Sequence, residues 1–246
     1  MMLDFDLSNK NILIFGSEGL IGKKICEIIK KKNGNIIKVD IKKINSENYF
    51  LINTENFKKL LAGKKKILKK YKKIDAIINC TYPKIQIKNR DFFKQDPKKF
   101  IQETTYHITT YYNILNVFLN YFKKQGSGNI INFTSIYGQY IPRFEIYKNT
   151  KMGMPIQYLI SKNAIIKMSE YLAKLCLKSK IRINCISPGG IFDNQNKKFV
   201  KKYSSFCRFN SMLSPSDLSG TIIFLLSDES KKITGQNIVI DDGFTL

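Results

Sequence analysis

The stretch EIYKNTKMGMPIQYLISK, residues 145–162, places a tyrosine four residues ahead of a lysine twice, as Tyr147/Lys151 and as Tyr158/Lys162. On a helix this spacing sets a phenol beside an ammonium. A phenol titrates near ~10 in water, and an adjacent positive charge favours its phenolate, so such a tyrosine can exchange a proton near neutrality. At most one of the two copies is expected to do so. Ser135, which closes the run NIINFTS (129–135), supplies a hydroxyl that can hold a reacting oxygen. The chain has a single histidine, His107.

The elements that must position these groups follow from the patterning. Short β-branched runs alternate with longer amphipathic stretches, which predicts a parallel sheet covered by helices. The expected strands are 11–16, 35–40, 49–52, 75–79, 129–135, 181–187 and 237–241. The expected helices are about 19–32, 55–72, 97–124, 156–179 and 215–227. No repeat, linker or shift in composition divides the chain. The reading is one α/β domain over 1–246, a Rossmann-type doubly wound parallel sheet of about seven strands with helices on both faces. Ligands of such sheets bind beyond the carboxyl ends of the strands, where Ser135 falls.

The first strand, NILIFG, runs into GSEGLIGKK, with Gly16, Gly19 and Gly22. A glycine turn between a strand and a helix lets backbone approach a pyrophosphate, and the helix N-terminus offers free N–H donors. The next strand ends in Asp40, where a carboxylate can accept hydrogen bonds from an adenosine ribose. Its charge opposes a 2′-phosphate, so NAD is the preferred cofactor; Lys42 and Lys43 leave NADP open. With a nicotinamide in place, the tyrosine accepts the proton of a substrate hydroxyl as hydride leaves carbon. The lysine bonds the nicotinamide ribose, and Ser135 holds the substrate oxygen.

These pieces, taken with IINC (77–80), FTS (133–135), Tyr-x-x-Ser-Lys, RINCISPGG (182–190) and GQNIVIDDG (235–243), resemble the short-chain dehydrogenase/reductase family over nearly the whole chain. The resemblance implies Ser135, Tyr158 and Lys162 as the catalytic set. It implies cofactor contacts from Gly16, Ser17, Gly19, Leu20, Ile21, Gly22, Asp40, Asn53, Asn79, Lys162, Pro188, Gly189 and Ile191. Measured forward from Ser135, Tyr147 sits at the family's usual separation. Two arguments favour Tyr158 instead. Gly153 and Pro155 interrupt any helix after Lys151, whereas the chain after Tyr158 is uninterrupted and amphipathic. The 30 residues from Tyr158 to Pro188 also match the family, where Tyr147 would need 41.

Tyr147 then belongs to an insertion over about 138–155, expected to shape the substrate site, with Arg143 able to pair with a phosphate or carboxylate. The glycine spacing is similar to that of longer, extended members, but the chain is too short for their second domain. Asn79-Cys80-Thr81-Tyr82-Pro83 replaces the usual Asn-Asn-Ala-Gly, which makes Tyr82 a candidate substrate contact. His107 stands where the family carries a proton-relay asparagine, and is expected to act as relay or substrate contact. These departures resemble the short-chain oxidoreductases encoded with flagellin-modification and nonulosonic-acid sugar genes. That likeness implies a phosphorylated or nucleotide-linked sugar as substrate and, from the wider family, a homodimer or homotetramer. The rival readings are a 3-oxoacyl-carrier or other small-carbonyl reductase, and a non-catalytic nucleotide- or nucleic-acid-binding protein.

Composition narrows the class further. The net charge of +23 comes from 38 lysines against 4 arginines, and the run KKKILKKYKK (64–73) keeps Ile67, Leu68 and Tyr71 at helical spacing. Lysine on a solvated helix face is weak evidence for nucleic-acid binding, which favours arginine's planar fork. No apolar run approaches the ~20 residues that span a bilayer, and MMLDFDLSNK is no secretory signal. Five cysteines without a Cys-x-x-Cys pair read as reduced thiols in the cytoplasm, with no metal site expected.

Overall fold

Seven β-branched runs form parallel strands: β1 (Asn11–Phe15), β2 (Asn35–Asp40), β3 (Tyr49–Leu51), β4 (Ala76–Asn79), β5 (Ser127–Phe133), β6 (Lys180–Pro188) and β7 (Asn237–Ile240). The computed structural model describes residues 5–82 and 92–246. The strand order is β3-β2-β1-β4-β5-β6-β7, and every pair is parallel. The chain therefore starts in the middle, winds to one edge, and returns past β1 to build the other half. Connections leave β1 and β4 in opposite directions, which opens a crevice at their carboxyl ends.

Among the described residues the α-helices are α1 (Leu20–Lys31), α2 (Phe57–Tyr71), α3 (Pro97–Gln125), α4 (Ile156–Leu175), α5 (Lys197–Ser204) and α6 (Ser219–Leu226). Strand side chains alternate between the faces, and both faces are covered, so the strands are apolar throughout. In β1, Ile12 and Ile14 pack with Ile25 and Ile29 of α1 and Ile222 of α6. Leu13 and Phe15 pack with Leu60 of α2, Phe118 of α3 and Ala173 of α4. Local chemistry sets the helix ends: Asp96 caps α3 through the Lys98 N–H at 2.9 Å with Pro97 beside it, and Gly126, at φ +84, ends it.

A third apolar cluster lies beyond the strands' carboxyl ends, where Ile146 and Tyr147 meet Phe199 and Tyr203 of α5 and Phe244. Its central element, α5, is absent from the expected helices. Its sequence KKFVKKYS offers only Phe199, Val200 and Tyr203 as apolar positions among lysines, too short a pattern to stand out. Most other boundaries shift by a residue or two, and a few differences are larger or fall at the site. β5 runs from 127 to 133, so Ser135 lies just past its end. α4 stops at Leu175 rather than 179. The helix expected over 215–227 divides into a 3-10 turn, Pro215–Leu218, closed by a Ser214/Asp217 capping box, followed by α6.

Candidate active site

Past β5 the chain remains paired with β6 through the Thr134 N–H to the Ile186 carbonyl at 2.8 Å. Ser135 then caps a 3-10 turn, Ile136–Gly138, its Oγ accepting the Tyr137 N–H at 3.2 Å. Pro155 immediately precedes α4, which places Tyr158 in the first turn and Lys162 one turn further. Tyr158 and Ser135 share a hydrogen bond. The Lys162 ammonium donates to the Phe133 carbonyl at 3.1 Å and stands 5.7 Å from the centre of the Tyr158 ring. These groups line a cavity of about 410 Å³.

The second tyrosine–lysine pair is not assembled. Tyr147 ends a short 3-10 turn, Phe144–Tyr147, and Lys148 leaves it in extended conformation. Lys151 is exposed. The Tyr147 side chain instead enters the cavity wall, its ring stacked on Phe199 at 5.4 Å and its hydroxyl donating to the Tyr137 hydroxyl at 3.2 Å.

Desolvation dominates the electrostatics. Burial pushes the Tyr158 phenol up to about 12, against the pull of its Ser135 bond. Burial brings Lys162 down from 10.5 to about 7. Among the protein's own groups the dry pocket penalises both charged forms, and burial outweighs the ammonium that was expected, together with a nicotinamide cation, to lower the phenol. His107 is driven to about 2, first by burial and then by Lys162. It is therefore neutral, and its Nε2 has no hydrogen-bond partner among the described residues. Its ring lies 6.4 Å from that of Tyr158 and 5.4 Å from that of Tyr82. Tyr82, 5.9 Å from Tyr158 ring to ring, forms the shared wall with the next cleft; Pro83 lies outside the described residues.

That cleft, about 540 Å³, runs from the glycine turn to the end of β2. Gly16 adopts φ +77, and a Cβ on Gly22 would stand 2.0 Å from the Gly16 carbonyl oxygen, so strand end and helix start can meet this closely only through glycine. Nothing caps the N–H groups opening α1 with a side chain. Ser17 Oγ is buried without a partner among the described residues. Free donors, an orphaned hydroxyl and a bare backbone approach fit a pyrophosphate. Asp40 borders the cleft; its carboxylate accepts the Glu18 N–H at 2.9 Å and the Ile41 N–H at 2.7 Å, which ties β2 to the turn. Lys42 donates to the Glu18 carbonyl at 3.1 Å.

The other expected residues divide by place. Gly16, Gly19, Leu20, Ile21, Gly22 and Asn53 border the cleft. Pro188, Gly189 and Ile191 border the reactive cavity. Asn79, fully buried, borders neither space; its Nδ2 has no partner among the described residues, and its Oδ1 accepts from Thr81. Arg143, expected as a substrate group, borders neither space among the described residues. Its guanidinium donates to the backbone oxygens of Phe244 at 3.3 Å and Leu246 at 2.6 Å and lies over the Phe206 ring, fastening residues 244–246 to residues 143–147. Thr110 and Tyr106 of α3, and Tyr203 of α5, also line the two spaces and were not anticipated. The one available signal was the i,i+4 pairing of Phe199 with Tyr203.

A family model described as enoyl-(acyl carrier protein) reductase matches residues 25–245. The chain is 35% identical over 258 residues to the post-translational flagellin modification protein A of Campylobacter coli, covering 98% of this chain and 100% of that protein. It is 26% identical to a 3-oxoacyl-(acyl-carrier-protein) reductase of Thermotoga maritima, over 98% of this chain and 99% of that one. Among solved structures, a short-chain dehydrogenase of Leptospira borgpetersenii with bound NAD+ superposes with a TM-score of 0.90 at 30% identity, covering 100% of this chain and 97% of that one. The chain belongs to the short-chain dehydrogenase/reductase family and is an NAD(P)-dependent oxidoreductase of CH–OH groups.

Proposed function

We propose that the protein interconverts a hydroxyl and a ketone on a phosphorylated or nucleotide-linked sugar, using NAD, in the synthesis of a surface-glycan or flagellin-modifying sugar. The observation that carries this reading is full-length similarity to a flagellin modification protein. Tyrosine rings and hydroxyls in the cavity wall, from Tyr137 and Tyr147, suit a polyol with apolar faces. Ser135 Oγ holds the reacting oxygen and Tyr158 Oη takes or returns its proton. Lys162 supplies positive charge beneath the phenol, and neutral His107 offers Nε2 to a substrate or water hydroxyl. Gly16, Ser17, Gly19 and the first turn of α1 hold the pyrophosphate, and Asp40 and Asn53 the adenosine ribose. When bound, the nicotinamide supplies the hydride acceptor or donor.

Residues 138–155 act in this reading as a substrate-shaping insertion in a single domain. A cytoplasmic homodimer or homotetramer is supported by five free cysteines and by Tyr112, Ile160, Tyr171 and Leu175 exposed on α3 and α4; light scattering measures the subunit number. No helix of the described residues is long and apolar enough to cross a membrane. Nucleic acid is not proposed as a partner.

The test is a spectrophotometric screen of phosphorylated and nucleotide-linked sugars for NAD reduction, with the ketones screened for NADH oxidation. Turnover of a sugar is expected. Turnover of 3-oxoacyl-carrier thioesters with NADPH, and of no sugar, would establish the rival reading that the Thermotoga relative suggests.

A further inference from the structure

The cavity around Tyr158 has one cationic side chain among its described lining residues, Lys162, and its ammonium is bonded to the Phe133 carbonyl. Arg143 is committed to Leu246. A phosphate therefore finds no free cation there. Beside α5 lies a separate groove of about 660 Å³, bordered by Phe192, Asn194, Gln195, Lys197, Lys201 and Ser204. Gln195 borders both spaces. Its side chain is held in place, Oε1 accepting the Asp193 N–H and Nε2 donating to the Ile191 carbonyl, each at 2.8 Å.

The helix α5 thus separates two environments. Phe199 and Tyr203 face the reactive cavity, and Lys197 and Lys201, one turn apart, face the groove. Neither lysine is in an ion pair among the described residues. Lys202 anchors the helix to the insertion by donating to the Glu145 carbonyl at 3.3 Å and the Lys148 carbonyl at 2.7 Å. Phe192, 48% exposed, adds an accessible aromatic face at the groove's edge.

We propose that this groove binds the nucleoside diphosphate tail of the substrate while the reacting sugar lies against Tyr158, the two parts joined past Gln195. The inference rests on the sugar reading above and narrows it to a nucleotide-linked sugar. Lys197 and Lys201 meet the phosphates as charge-assisted donors, and Phe192 offers its ring to the base. The cavity, whose one described cation is already bonded, takes the uncharged sugar, so the tail and the reacting carbon are read by different walls.

The probe is uridine diphosphate, titrated calorimetrically into the enzyme saturated with NAD so that the glycine-turn cleft is closed to it. Binding is expected, and Lys197→Gln with Lys201→Gln should weaken it about tenfold, the loss of two exposed charge contacts. NAD affinity should be unchanged, which shows that the variant is folded. Inorganic phosphate competing as strongly as uridine diphosphate would overturn the nucleotide assignment. Absent binding, or binding indifferent to both substitutions, would overturn the groove. If the sugar screen yields a nucleotide-linked substrate whose KM the double variant leaves unchanged, the groove fails while the sugar reading stands. If uridine diphosphate binds as expected but no sugar turns over, the groove stands and the sugar reading fails.

Discussion

Replacing Lys162 with methionine keeps the stem of the side chain and removes its charge. The lysine is 4% exposed, and burial takes it from 10.5 to about 7. At ~1.36 kcal/mol per pH unit, holding this side chain in the folded protein at neutral pH costs about 4 kcal/mol relative to a solvated lysine. Methionine forfeits the bond to the Phe133 carbonyl, about 1 kcal/mol, although that carbonyl retains the Tyr111 hydroxyl at 2.8 Å. Lys162→Met is therefore expected to stabilise the cofactor-free protein by about 3 kcal/mol at neutral pH while abolishing turnover.

The pH dependence distinguishes this cause from better packing. The folded value lies below the unfolded one, so the penalty is absent above pH 10.5, grows as pH falls towards about 7, and is constant below that. The advantage of the variant should be full near neutrality and nearly gone by about pH 9.5. Urea unfolding of both proteins at the two pH values, at equal protein concentration and without NAD, measures it. No gain at neutral pH, or a gain that persists at the higher pH, would refute the desolvation argument. A side chain that costs this much and is nonetheless present marks a site built for chemistry rather than for stability.

Tyr158→Phe should lower kcat by about 10²–10⁴-fold, whereas Tyr147→Phe should mainly raise KM; loss of the chemical step only in Tyr147→Phe would reverse the assignment. NAD should raise Tm more than NADP at equal concentration, because the Asp40 carboxylate meets a 2′-phosphate with like charge; the opposite order would mean that Lys42 prevails. Arg143→Ala should cost about 1–3 kcal/mol in urea unfolding by releasing two carbonyls and two ring contacts, with KM nearly unchanged. A large KM increase at full stability would restore Arg143 to the substrate.

Much of the frame is legible locally. NIIKVD marks β2 to the residue, and Asp96, Pro97 and Gly126 delimit α3, because each signal acts on its own backbone. The end of β5 is less legible, since pairing with β6 decides where a strand stops: Thr134 keeps a bond to β6 but Ser135 turns away into a 3-10 cap. α5 escaped because its amphipathic signal is two turns long and becomes meaningful only when Tyr147 and Phe244 pack on it. The contacts of Arg143 were not legible because its partner Leu246 is 103 residues away.

From sequence alone came the glycine turn, the acidic end of β2, the order of the motifs and the tyrosine that heads a helix. Each depends on short-range backbone geometry: Gly153 and Pro155 interrupt the chain after Lys151, and α4 begins at Ile156. Tertiary structure alone decided that burial lowers the pKa of Lys162, that Arg143 bonds Leu246, and that α5 stands between the cavity of Tyr158 and a groove lined by Lys197 and Lys201. Those outcomes depend on which distant groups exclude water from one another, and desolvation is a property of the assembled pocket that no stretch of chain carries by itself.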